Sequence, residues 1–202
     1  MNADFKVGKI RIETERLILR AFEQGDLEDF FEYASVDGVG EMAGWKHHEN
    51  KQVTQEILDE FMQNDKTFAL VLKENNKVIG SLGVERYGME SYLSEFFELK
   101  GREIGYVLSK EYWGRGLMPE AVKAVVDYLF NTADLDFLTC GFFDSNAQSC
   151  RVQEKCGFKP YRKLTFNTHL GHTEEGQLNL LLNPKKQIKL EFSYPETLIY
   201  SE

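Results

Sequence analysis

The sequence has no apolar run approaching the roughly 20 residues that a membrane-spanning helix requires. Its first residues, Met1-Asn2-Ala3-Asp4-Phe5-Lys6, lack the charged-then-apolar build of a signal peptide, so a cytoplasmic chain is the expectation. Cysteine is scarce. Cys140, Cys150 and Cys156 form no Cys-x-x-Cys pair, and an odd count without a framework points to reduced thiols. His169-x-x-His172 has ligand-like spacing, but no further ligand clusters with it, so no metal is expected. Positive charge is also short: 24 Lys and Arg against 33 Asp and Glu leave a formal charge of -9. That balance disfavours nucleic acid, whose phosphates it would repel. It mildly favours a cationic partner, although a solvated acidic surface gives the same count.

What is present suits one domain, or one with a small appendage, of mixed α/β class. The chain has 202 residues, 42% of them hydrophobic, with 15 Phe, 9 Tyr and 2 Trp to fill a core. Arg16–Arg20 reads as a short strand. Asp26 then stands where an N-cap would precede a helix carrying Leu27, Phe30, Phe31 and Ala34 on one face. A Gly- and His-rich loop, Asp37 to Asn50, leads to a second amphipathic helix marked by Val53, Ile57, Leu58 and Phe61. Thr67–Leu72 and Lys77–Val84 read as strands joined by an Asn-rich turn. Tyr87 to Lys100 is irregular, and Glu103–Leu108 is the next strand. A helix is expected from about Gly116 to Asn131, a strand over Leu135–Phe143, a short helix from Asn146, and a hairpin of Lys163–Phe166 with Gln177–Leu182. The tail beyond Pro184 either adds a strand or lies on the surface.

The most informative segment is Tyr112-Trp113-Gly114-Arg115-Gly116-Leu117-Met118-Pro119-Glu120, between a strand and a helix. Two glycines one residue apart let the backbone turn tightly and aim several N–H groups one way. The following helix adds unpaired amides and the positive end of its dipole. Such a junction binds a diphosphate without a metal. A dinucleotide fingerprint would need glycine at position 119, which is proline, and a P-loop would need Gly-Lys-Ser/Thr, which is absent. A glycine-containing turn before an ordinary helix is the plain alternative.

About thirty residues on, Asn146-Ala-Gln-Ser149-Cys-Arg-Val152-Gln-Glu154-Lys-Cys-Gly157-Phe158 reads as one compact helix, capped by Asn146 and stopped by Gly157. Taken together, the two stretches resemble the GNAT (general control-type N-acetyltransferase) superfamily. They are most similar to its ribosomal-protein N-terminal acetyltransferase branch (RimJ/RimL type). The resemblance rests on Ile104-Gly105-Tyr106-Val107-Leu108, Trp113-Gly114-Arg115-Gly116-Leu117, Glu120-Ala121 and the Asn146–Phe158 motif, and it spans roughly Ile12 to Leu182. Trp113 replaces the superfamily's Arg/Gln, as is usual in the branch. Met118 stands where Gly/Ala is expected and should limit how closely a phosphate approaches.

The resemblance implies a GNAT-like fold: a central mixed, mostly antiparallel twisted sheet of about seven strands flanked by about four helices. Residues 10–183 would form the domain, with 184–202 as a tail. It also implies an N-acyltransferase that moves an acetyl group from acetyl-CoA to a primary amine by direct attack in a ternary complex. Trp113, Gly114, Arg115, Gly116, Leu117 and Met118 would hold the diphosphate, and Tyr106, Val107 and Leu108 the pantetheine arm; Asn146 and Ser149 would also line the cofactor. An amine with a pKa of about 10.4 arrives protonated, so a carboxylate must take its proton. Glu103 is the first candidate and Glu85 the alternative. Many superfamily members carry a tyrosine seven residues after the asparagine; here that position is Gln153. In the branch Ser149 takes its place, assigned to stabilise the departing thiolate, with Tyr161 as a fallback. Acceptor selection is expected from the Gly44–His48 loop and from Tyr87 to Phe97. The family allows a homodimer, though no sequence feature demands one. A non-catalytic acyl-CoA sensor, suggested by Met118 and Gln153, is the competing reading.

Overall fold

A computed structural model describes residues 1–87, 96–188 and 198–200. Nine strands and four α-helices occur among the described residues. The two strands beyond the expected seven are β1 (Ile12–Glu13) and β9 (Leu198–Tyr200), edge segments too short to show a period in sequence. The residues gather into two compact units that do not follow chain order. One comprises Phe5–Val84 and Gly105–Val125; the other comprises Met1–Asp4, Glu85–Ile104 and Val126–Glu202. They are called the N-terminal and C-terminal units below.

In the N-terminal unit, β1 pairs antiparallel with β2 (Leu17–Ala21), β2 with β3 (Thr67–Leu72), and β3 with β4 (Lys77–Glu85). The uninterrupted apolar run of β3 is buried at every position. The turn expected between β3 and β4 forms: Asn76 takes a left-handed φ of 59°, and the Asn75 carboxamide accepts from the Lys77 amide at 3.1 Å. Helices α1 (Leu27–Ala34) and α2 (Lys51–Asn64) bury Phe30, Tyr33, Ala34 and Leu58 against Phe22, Ala69, Val71 and Val78. Phe30 and Phe61 stack at 5.5 Å between centroids. Asn50 caps α2 by accepting from the Val53 amide at 3.1 Å.

Asp26 stands at the N-cap position of α1, as expected, but its side chain makes no capping hydrogen bond on that helix. Both its oxygens instead take the Arg20 guanidinium at 2.7 Å, and one also accepts from the Glu23 amide at 2.9 Å. A bidentate charge-assisted pair is stronger than a single capping bond, so it wins the carboxylate.

In the C-terminal unit, β5 (Gly101–Leu108) begins in parallel register with β6 (Phe137–Phe143), an arrangement that needs a helical crossover, here α3 (Leu117–Asn131). That register ends at Glu103 opposite Thr139. β6 then pairs antiparallel with β8 (Thr173–Leu182), β8 with β7 (Lys159–Asn167), and β7 in parallel with β9. The hairpin is longer than expected at both ends. The helix α4 (Ala147–Lys155) follows β6 directly. Phe137, Leu164, Leu178 and Phe96 form the core of this unit, with Phe96 stacked on Phe137 at 4.2 Å.

Candidate active site

The N-terminal unit carries the segment expected to bind phosphate. β5 ends at Leu108, and the indole N–H of Trp113 donates to the Leu108 carbonyl at 2.7 Å, tying the loop back to the strand. Gly114 and Gly116 take φ values of 74° and 76°, a left-handed geometry that L side chains adopt at a cost. A Cβ at Gly114 would meet no atom within 4 Å, so the space over the loop is open and the dihedral alone demands glycine there. The helix α3 starts at Leu117, whose side chain is buried, as is that of Met118 at 4% exposure. The Met118 thioether, expected from the motif to limit how closely a phosphate approaches, lies in the core. The Arg115 guanidinium lies 5.0 Å over the Tyr112 ring.

A network unforeseen in the sequence sits under this loop. Glu120, in the first turn of α3, accepts from Thr14 Oγ1 at 2.6 Å, from the Arg16 amide at 2.9 Å and from Arg16 Nε at 2.7 Å. Arg16 Nη2 adds an ion pair at 2.6 Å, and Nη1 donates to the Arg115 carbonyl at 2.9 Å. Burial pushes the Glu120 carboxyl upward, but the bonds from Thr14 and Arg16 outweigh it and hold the group below its ordinary value.

Along the rest of β5, Val107 packs against the aromatic core of the unit. The Ser109 amide donates to the Ile79 carbonyl at 2.8 Å, which pins the strand end to β4. Gly105 is exposed, and a Cβ there would meet nothing within 4 Å. Tyr106 is half-buried and Leu108 buried.

The C-terminal unit assembles Glu103, Asn146 and Ser149 around Gly141. Thr139 Oγ1 donates to Glu103 Oε2 at 3.3 Å. A Cβ at Gly141 would lie 4.0 Å from Glu103 Oε1 and 3.0 Å from the Phe166 ring, so carboxylate and ring border one small volume. Phe143 meets Phe166 edge to face at 5.5 Å. From the other side, Gln153 donates to the Gly141 carbonyl at 3.3 Å and to Ser149 Oγ at 3.2 Å. Asn146 accepts from the Ser149 amide at 3.0 Å, the cap expected of it. Ser149 thus stands at the start of α4 with its oxygen accepting from Gln153.

Glu85 ends β4 near the buried guanidinium of Arg102. Burial is the main influence lowering the Arg102 pKa, Arg86 adds to it, and Glu85 and Asp4 oppose it. Arg102 and Glu103 alternate along β5 and face opposite sides of it. Tyr161 packs its ring on Phe96 at 5.7 Å. In the Gly44–His48 loop, His48 is buried against Phe30 and Trp45, donates or accepts at Thr54 Oγ1 over 2.9 Å, and is held below its ordinary pKa by burial and by His47. Glu41 takes the His47 amide at 3.0 Å, its Nδ1 at 2.8 Å and the Gly38 amide at 2.7 Å. Those bonds outweigh burial and bring Glu41 to about 2. Of the expected acceptor stretch Tyr87 to Phe97, residues 88–95 lie outside the described residues. No helix among the described residues is long and apolar enough to cross a membrane.

The acetyltransferase (GNAT) domain family matches residues 16–159. A probable N-acetyltransferase, YjcK of Bacillus subtilis (strain 168), is 29% identical over 167 residues, which cover 80% of this chain and 85% of the relative. Among solved structures, an acetyltransferase (GNAT family) from Bacillus anthracis superposes with a TM-score of 0.74 at 24% identity, covering 86% of this chain and 99% of that one. The spermidine N-acetyltransferase of Vibrio cholerae, solved with CoA and spermine, gives 0.68 at 17% identity, over 85% of this chain and 98% of that one.

Proposed function

The chain belongs to the acetyltransferase (GNAT) domain family, an acetyltransferase with acetyl-CoA as co-substrate, and from that premise we propose that its acceptor is a primary amine, on a peptide N-terminus or a small molecule. The branch motifs of Ile104–Leu108 and Trp113–Leu117 favour the ribosomal-protein N-terminal type. The observation that carries the reading is the Gly114–Met118 loop, whose left-handed glycines precede the first turn of α3, with open space at Gly114. In this reading Trp113 to Met118 hold the diphosphate, and the backbone of Tyr106, Val107 and Leu108 pairs with the pantetheine arm and polarises the thioester carbonyl.

Glu103 takes the proton of the attacking amine. Thr139 donates to one of its oxygens, the other lies beside Gly141 near the Phe166 ring, and a carboxylate there can take the proton of a cationic amine. Glu85 is the weaker candidate, because its charge offsets Arg102 on the opposite side of β5. Ser149, oriented by Asn146 and Gln153 at the start of α4, stabilises the departing thiolate, which at a thiol pKa of about 8.5 needs modest help. Acceptor-dependent release of CoA thiol, measured over a panel of peptides and polyamines, tests the reading. Saturable acetyl-CoA binding with no thiol release for any acceptor would instead mark an acyl-CoA sensor.

A further inference from the structure

We propose that Arg16 and Glu120 are positioning residues for the phosphate loop, and that they act by fixing the orientation of the peptide between Arg115 and Gly116. The inference rests on the reading that this loop binds the CoA diphosphate. A trans peptide is planar, so its C=O and N–H point in opposite directions. Arg16 Nη1 holds the Arg115 carbonyl at 2.9 Å. The Gly116 N–H, on the same peptide, is thereby aimed away from Arg16. A flip of this peptide turns ψ of Arg115 and φ of Gly116, and Gly116 stands at a φ of 76°. Glycine on one side lowers the barrier to that flip, which would present a carbonyl oxygen to an anion where an N–H is needed.

Glu120 supplies the anchor. A guanidinium held by one hydrogen bond swings on a flexible stem, but Arg16 is gripped through Nε at 2.7 Å and Nη2 at 2.6 Å. The same carboxylate takes the Arg16 amide and the Thr14 hydroxyl, which fixes the start of β2 beneath the loop. The arrangement also answers an electrostatic problem. A carboxylate in the first turn of α3 would repel a diphosphate arriving at that helix end, and the Arg16 charge cancels it. Nη2 reaches to 3.7 Å from the position a Cβ would take at Gly116, so the compensating charge lies at the loop itself. These contacts join residues 99 to 106 positions apart.

The test compares acetyl-CoA with S-acetylpantetheine, which carries the same thioester but no diphosphate, on wild type, Arg16→Ala, Arg16→Lys and Glu120→Gln. Loss of a charge-assisted bond that orients one donor predicts a KM for acetyl-CoA raised about 10- to 50-fold in Arg16→Ala. Arg16→Lys, which keeps the charge but cannot form the fork, should lie closer to Arg16→Ala than to wild type. Both should leave kcat, and kcat/KM for S-acetylpantetheine, within about twofold of wild type. Equal losses on both thioesters in the folded Lys and Gln variants, or no loss on acetyl-CoA, would overturn the proposal. Should wild type itself show no preference for acetyl-CoA over S-acetylpantetheine, the loop assignment fails, and the positioning role fails with it. A preference that survives in every variant refutes the positioning role alone.

Discussion

The proposed cofactor loop and the proposed acceptor face are built on opposite plans. The loop presents backbone: Gly114, Arg115, Gly116 and the first turn of α3 are consecutive, and their side chains are absent, stacked aside or buried in the core. The acceptor face presents side chains: Glu103, Thr139, Ser149, Gln153 and Phe166 come from four elements and meet around Gly141. A diphosphate is the same on every turnover, so a fixed backbone cradle serves it. An acceptor varies between enzymes, and side chains can be exchanged without disturbing the strands that carry them.

The contrast can be broken first at the loop. Gly116→Val asks a β-branched residue to hold a left-handed φ, at about 1–2 kcal/mol for chirality alone. Relief by flipping the peptide misaims the amide, so CoA affinity should fall about 100-fold by calorimetry. On the acceptor face, Glu103→Gln should lower kcat by about 100-fold with CoA affinity unchanged, because the base is lost and the cradle is not. A matching loss of CoA affinity would erase the division of labour. Ser149→Ala should cost about five- to tenfold in kcat, the value of one hydrogen bond to a thiolate, and should not alter acceptor KM.

Gly141→Ala sharpens the comparison from within. The added methyl would approach the Phe166 ring at 3.0 Å and the Glu103 carboxylate at 4.0 Å. The KM for the acceptor should then rise about three- to tenfold, while that for acetyl-CoA stays within about twofold. The smallest effect belongs to Glu41. Its pKa lies below the unfolded value, so its stabilisation is full above about pH 4.5 and is lost as pH falls toward about 2. Glu41→Gln should lower unfolding stability by about 1 kcal/mol at pH 7 and flatten that part of the acid limb, as read by denaturant titration across pH.

The same contrast explains what the sequence disclosed. The glycines of the loop, the Asn146 cap and the Asn75–Asn76 turn are local devices, readable from neighbouring residues, and all three form. The partners of Glu103 and Glu120 were hidden because they come from chain 36 and 104 or more residues away. Glu120 was visible as part of a motif, yet nothing in its neighbourhood announces Arg16. Asp26 shows a local rule losing to a nonlocal one: it has the residue type and place of a cap, but Arg20 across the turn claims both its oxygens. Met118 reads as an obstruction in a linear motif, and only the fold shows its side chain turned into the core.

The central claim is that backbone amides from Gly114 to Met118 bind the CoA diphosphate without help from a metal. Calorimetric titration of wild type and Gly116→Val with CoA, in the presence of a strong chelator, addresses it directly. The account predicts saturable binding to the wild type that the chelator leaves intact and the valine weakens about 100-fold. Equal affinity of the two proteins, or binding that vanishes when divalent ions are removed, would contradict it.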